Sequence, residues 1–152
     1  MHNQIGKQSL VRNRMRESQR AGKQVMTEIE SALANVSLFS SCSKRELRLV
    51  AKLAKTCHVP RDTTLLVEGD VGDEMLVFLA GSAAVVLRGG RKIATLGPGD
   101  VVGELGVLGR APRNATVTTT VDSEVAIVNR RALNRLLADA PGFSRELLEA
   151  LA

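Results

Sequence analysis

The stretch GELGVLGRAPRNATV, residues 103–117, sets one carboxylate, two guanidinium groups and three glycines between two apolar runs. A short helical turn entered at Gly103 would leave the backbone N–H groups of Glu104 to Leu108 without intrahelical partners, and such an end attracts anions. The helix dipole alone accounts for a carboxylate at that end, so Glu104 taken by itself is a helix-end residue. Arg113 differs, because it stands where strand alternation begins at NATV and Pro112 stiffens its approach. A guanidinium facing a cluster of backbone donors makes sense if an anion lies between them, since it pairs bidentately with phosphate. Glu104, an acceptor only, would then hold a sugar hydroxyl beside that phosphate. The residues alone allow two readings: a phosphate–sugar site, or an Arg113–Glu104 salt bridge within a surface loop. Arg110 competes as a phosphate ligand, but its place in the spacer points to solvent.

The segments that would position these groups run from helix to strands and back to helix. TEIESALANV (27–36) and SKRELRLVAKLA (43–54) have helical period, with SLFSSC as a break that leaves Leu38 and Phe39 for packing. Ser43 and Glu46 stand at capping-box spacing, and Leu47, Val50, Ala51 and Ala54 share one face. The short runs TTLLVEG, EMLVFLAG, SAAVVLR, RKIATLG, ATVTTTV and EVAIV then read as strands separated by glycine-rich turns. Arg88-Gly-Gly-Arg91 predicts a two-residue hairpin connection. Asn129 is placed to cap RRALNRLLADA, with Leu133, Leu136 and Leu137 on one face. Pro141-Gly142 separates it from a last helix, FSRELLEALA. The fold class expected is mainly β with flanking α-helices, a jelly-roll β-barrel (β-roll) with N-terminal and C-terminal helices.

The composition narrows the function. The chain has 152 residues, 44% hydrophobic and 24% charged, as expected of one globular domain. Its net charge of +5 sits in residues 1–24, where Lys7, Arg12, Arg14, Arg16, Arg20 and Lys23 face only Glu17. Residues 1–26 are therefore read as a flexible basic extension, with a membrane surface or an acidic partner as its candidate contacts, and 27–152 as the folded domain. Tyr and Trp are absent and Phe39, Phe78 and Phe143 are the only aromatic residues, which argues against a stacking platform for nucleic acid. Cys42 and Cys57 fit neither a metal site nor a disulfide framework, and together with the lack of a signal or spanning segment they suggest a cytoplasmic protein. Two histidines, His2 and His58, cannot build a metal site or a nucleophile–histidine arrangement, so no catalytic residues, metal or cofactor are expected.

Three segments, EGDVGDEMLVFLAGSAAVV, IATLGPGDVVGELGVL and PRNATVTT, resemble the cyclic nucleotide-binding domain family of bacterial type from about residue 33 onward. The resemblance implies a regulatory module that binds cAMP or cGMP and performs no catalysis. Gly103, Glu104, Leu105, Gly106, Arg113, Asn114, Ala115 and Thr116 would form the site, with Glu104 on the ribose 2′-hydroxyl, Arg113 on the cyclic phosphate and backbone amides completing the cradle. Gly106 stands where the family has alanine, which keeps the amide and loosens the turn. Asn114 stands where a Thr or Ser hydroxyl favours guanine, so cAMP is preferred to cGMP. In the family the last helix swings in over the base. An aliphatic stripe of Leu147, Leu148 and Leu151 is the expected cover, against the alternative that these leucines pack permanently on Leu133, Leu136 and Leu137. With the sequence ending at Ala152, no helix-turn-helix and no sequence-specific DNA binding are expected. The effector is a downstream protein, and the chain is either a stand-alone module or the sensor of a larger channel, transporter, enzyme or transcription regulator.

Overall fold

Unbroken apolar runs such as residues 75–80 and 125–128 can bury both faces of a strand only if each face is covered. The computed structural model, which describes residues 23–103 and 112–151, meets this need with helices on one side and a second sheet on the other. The order is α1 (Lys23–Ala34), a 3₁₀ turn (Ser37–Phe39), α2 (Lys44–Leu53), eight strands, α3 (Arg130–Asp139) and α4 (Pro141–Leu151) among the described residues. The strands are β1 (Lys55–Val59), β2 (Thr64–Leu66), β3 (Glu74–Ala80), β4 (Ala83–Leu87), β5 (Arg91–Leu96), β6 (Val101–Val102), β7 (Thr116–Thr119) and β8 (Ser123–Asn129). They form two antiparallel sheets, β1-β8-β3-β6 and β2-β7-β4-β5. This is the jelly-roll expected, as two facing sheets rather than a closed barrel.

Period two divides the core. Leu76 and Phe78 of β3 and Val125 and Ile127 of β8 point between the sheets, where they meet Leu65, Leu66, Val85 and Val117. Their neighbours Met75, Val77, Ala126 and Val128 point the other way, into a core built with Leu33, Val36, Phe39, Val50, Leu133, Leu136 and Phe143 of the helical layer. One sheet is thus sandwiched, and β3 and β8 carry no polar face to mark them as half-buried.

Local signals hold in several places. The Ser43 hydroxyl accepts from the Glu46 N–H and Glu46 accepts from the Ser43 N–H, a complete capping box, and Asn129 accepts from the Ala132 N–H at 2.8 Å. Other expectations change. The first helix starts at Lys23, inside the basic segment, and Lys55–Val59 is a strand that the punctuation did not reveal. Leu87 pairs with Arg91, so the connection has three residues instead of two, although Gly89 and Gly90 do take positive φ (93° and 88°). Pro141 begins α4 rather than ending α3, as its missing N–H allows.

The helices at the two ends of the chain meet at one carboxylate. Glu46 accepts from the Ser43 N–H at 3.3 Å and, through its other oxygen, from the Gly142 N–H at 2.9 Å. One side chain therefore caps both α2 and α4. Gly142 is needed here, since a Cβ would strike the Ser41 carbonyl. Phe39 stacks on Phe143 with centroids 5.6 Å apart, and the Ser41 hydroxyl donates to Glu146. Cys42 sits in this joint, where burial and the carboxylates of Glu46 and Glu146 push its thiol up to about 11. It stays protonated and unreactive.

Desolvation opposes ionisation of Glu46, but backbone donors from Gly142, Ser43 and Phe143 outweigh it and hold the carboxyl below its ordinary value of 4.5. A depressed carboxyl contributes stability that is complete above the unfolded-state value and is lost as pH falls through the folded-state value. Glu46→Gln should therefore cost about 1 kcal/mol near neutral pH, and its difference from wild type should fade as pH drops below 4.5. Urea unfolding at several pH values checks this. A difference that persists undiminished in acid would contradict the double cap.

Candidate functional site

Strand alternation sets the direction of Arg113. Arg113, Ala115, Val117 and Thr119 are buried while Asn114 and Thr120 are exposed, so the inward phase of β7 starts three residues before the strand itself. An arginine on that phase points between the sheets. It is only 7% exposed, and a buried charge is costly unless its donors are met.

The chain holds both the backbone and the side chain of this residue. The Arg113 N–H donates to the Asp70 carbonyl at 2.7 Å, and the Gly69 N–H donates to the Arg113 carbonyl at 2.8 Å. Val71 bridges Pro112, and the Glu68 N–H donates to the Thr116 hydroxyl at 3.0 Å. The loop between β2 and β3 thus holds the arginine backbone as a partner strand would. The guanidinium then crosses to the other sheet, where Nη1 donates to the Gly103 carbonyl at 3.0 Å and Nη2 to the Glu74 carbonyl at 2.7 Å. These acceptors fix the fork while carrying no full charge of their own.

Two glycines make room for it. A Cβ on Gly72 would lie 2.7 Å from Nε and 2.8 Å from Cζ of Arg113. At Gly103, φ is +89°, and a Cβ would stand 2.7 Å from Nη1 and 2.9 Å from the Glu74 carbonyl oxygen. Gly72 was legible only as turn punctuation; its role depends on a side chain from a distant part of the chain. The Glu74 carbonyl has no sequence signal at all.

Of the residues expected at the site, the structure brings Gly103 and Arg113 into direct contact. Asn114 is exposed, Thr116 is half-buried at the start of β7, and Ala115 packs in the core between the sheets. Glu104, Leu105, Gly106 and Arg110 lie outside the described residues. The expected leucine cover divides. Leu147 is 3% exposed in the helical core with Leu133 and Leu136, whereas Leu148 is 70% exposed. The side chain of Leu151 lies outside the described residues. Leu137, expected beside Leu133 and Leu136, reaches the surface. Among the described residues no group of His, Cys, Asp and Glu side chains gathers as a metal site, and no helix is long and apolar enough to cross a membrane.

The close fit around the guanidinium generates a test. Gly72→Ala should displace Arg113 and destabilise the fold by about 1–3 kcal/mol, the usual cost of overpacking. Thermal unfolding measures it, and an unchanged midpoint would contradict so tight a seat.

Comparison with known proteins places this geometry. Residues 56–140, more than half of the chain, match the family described as cyclic nucleotide-binding domain. The chain is 28% identical over 128 residues to a CRP-like cAMP-activated global transcriptional regulator of Mycobacterium tuberculosis, covering 82% of this chain and 57% of the relative. It is 32% identical over 116 residues to the cAMP-dependent protein kinase regulatory subunit of Schizosaccharomyces pombe, covering 76% of this chain and 28% of the relative. Among solved structures, a cyclic nucleotide-binding domain from Methylobacillus flagellatus aligns with a TM-score of 0.69 at 31% identity, over 82% of this chain and 72% of the other. The regulatory domain of Toxoplasma gondii PKA with cAMP aligns with a TM-score of 0.67 at 28% identity, over 74% and 44%. With its inward arginine and its two facing sheets, the chain belongs to the cyclic nucleotide-binding domain family.

Proposed function

We propose that the domain binds a cyclic nucleotide, cAMP in preference to cGMP, and passes the binding event to a downstream protein through its terminal helices, without catalysis of its own. The observation that carries this reading is the seat of Arg113. A guanidinium whose fork is oriented by the carbonyls of Gly103 and Glu74 in a buried site is preorganised for a phosphate, and the low dielectric strengthens the pairing. In this reading Glu104 takes the ribose 2′-hydroxyl, the amides near Gly103, Leu105, Gly106 and Ala115 complete the cradle, and Asn114 and Thr116 flank it. The site calls for no cofactor or metal, and its setting is the cytoplasm. The names of the relatives, a cAMP-activated regulator and cAMP-dependent kinase subunits, support cAMP as the ligand. The same function suits a sensor within a longer chain, since the matched region makes up 57% of the first relative and 28% of the second.

Coupling would run through α4. The Glu46 cap, the Phe39–Phe143 stack and Leu147 hold it against the helices before β1. Nucleotide binding would shift a two-state equilibrium away from this docked position, with exposed Leu148, and Leu151 beyond it, supplying apolar cover for the base while Leu147 acts as the pivot in the core.

Calorimetric titration with cAMP and cGMP tests the binding. Saturable heat is expected, larger in affinity for cAMP, and no response to either at millimolar concentration would overturn the proposal. Arg113→Ala should weaken binding by about 2–4 kcal/mol and Glu104→Ala by about 1–3 kcal/mol, with Arg110→Ala close to neutral. A dominant Arg110 would mean that the phosphate sits elsewhere. Amide exchange across 143–151 should change on adding cAMP, and equal protection in both states would leave the domain a passive binder.

A further inference from the structure

Beside the Glu46 joint, α2 and α3 leave a groove of about 800 Å³ open to solvent. Arg45, Arg48 and Lys52 line it from α2 and Arg135 from α3, over a floor that includes Leu49, Ala138 and Pro141. The acidic residues within it are already engaged. Glu46 caps the two helices, and Asp139 accepts from Arg135 at 2.5 Å. Arg45, Arg48 and Lys52 are all exposed and take part in no ion pair among the described residues. Their spacing of i, i+3 and i+7 puts them on one side of α2, along about 10 Å of helix at 1.5 Å per residue.

We propose that this groove is the docking surface for an acidic helix of a partner protein. Charge complementarity gives the sign of the partner, and the shape gives its class. A concave channel between two helices accepts a third helix, whose carboxylates at matching spacing meet the three cations while an apolar residue between them meets Leu49. The apolar Leu49, Ala138 and Pro141 of the lining suit a helix that carries apolar side chains between its carboxylates and offer nothing to a continuous array of phosphates, which disfavours a duplex or the headgroup surface of an anionic bilayer. The groove also touches Pro141 and Glu46, so a helix seated there contacts the joint that holds α4. Dependence of docking on nucleotide rests on the proposed function; docking itself does not.

The test uses the full chain and a labelled helical peptide of about 14 residues, roughly four turns, bearing glutamates at i, i+3 and i+7 around leucine. Fluorescence anisotropy at low ionic strength should show saturable binding that salt weakens. The Arg45→Glu, Arg48→Glu, Lys52→Glu triple variant should bind about tenfold or more weakly. The same reversal at exposed Arg88, Arg91 and Lys92, far along the sequence on the β4–β5 hairpin, should leave binding unchanged. Amide shifts in the wild-type protein should fall on 44–53 and 135–142, a readout that does not depend on folding of any variant. Equal loss in both triple variants, shifts elsewhere, or no binding would overturn the proposal. So would displacement of the peptide by duplex DNA or anionic vesicles, or self-association through the groove that excludes the peptide. If the peptide binds but cAMP does not, the groove stands and the nucleotide reading falls.

Discussion

Arg113 stands on the inward phase of a strand whose other inward residues, Ala115, Val117 and Thr119, are small and neutral. Its guanidinium has to find acceptors before the two sheets can close over it. Much of the local structure follows from that constraint. The β2–β3 loop pairs with the arginine backbone, Gly103 turns its carbonyl toward Nη1 at positive φ, and Gly72 vacates the space beside Nε. A lysine would place a point charge there but could not span the carbonyls of Gly103 and Glu74 with a fixed fork. The arginine ties β3 to the connection between β6 and β7, and so the sheets to each other.

The second constraint lies on the opposite face of the sandwiched sheet. Glu74, whose carbonyl receives Arg113, opens β3, and the next residue, Met75, packs in the helical core with Leu133, Leu136 and Phe143. The site and the helices therefore share a strand. Adjacency of this kind is spatial and is not itself coupling; the element with two arrangements would be α4. It is held by the shared carboxylate of Glu46, the Phe39–Phe143 pair, the Ser41–Glu146 hydrogen bond and the burial of Leu147. A ligand that shifted it would have to bind the other arrangement better than this one.

Residues whose role is local were the most legible. Ser43 with Glu46 and Asn129 before its helix act through neighbours three positions away, and each does what its spacing predicts, whereas the paired glycines after β4 take positive φ in a connection of three residues rather than two. β1 escaped because KTCHV is short and has only Cys57 and Val59 as apolar residues, with no glycine turn separating it from the helix before it. The N-terminal extent of α1 escaped because a basic stretch reads as tail even where it continues a helix. At the site, Arg113 could be read from its place before NATV, but Gly72 and the Glu74 carbonyl could not, since a chain folded across two sheets brings them to it. The leucine stripe failed as a unit for the same kind of reason. Leu147 and Leu148 are about 100° apart on the helix, and the phase of docking, set by Gly142 and Phe143, decides which of them is covered.

In the proposed function Arg113 is a prebuilt ligand for a cyclic phosphate. The most direct measurement follows the Arg113 Nε–H resonance by NMR in isotope-labelled protein during titration with cAMP, assigned by its disappearance in Arg113→Lys. That resonance is expected to shift and to saturate together with the backbone signals of residues 69–74 and 103. Saturable cAMP binding that leaves the Arg113 resonance unmoved would contradict this role of Arg113, and so would the absence of any response.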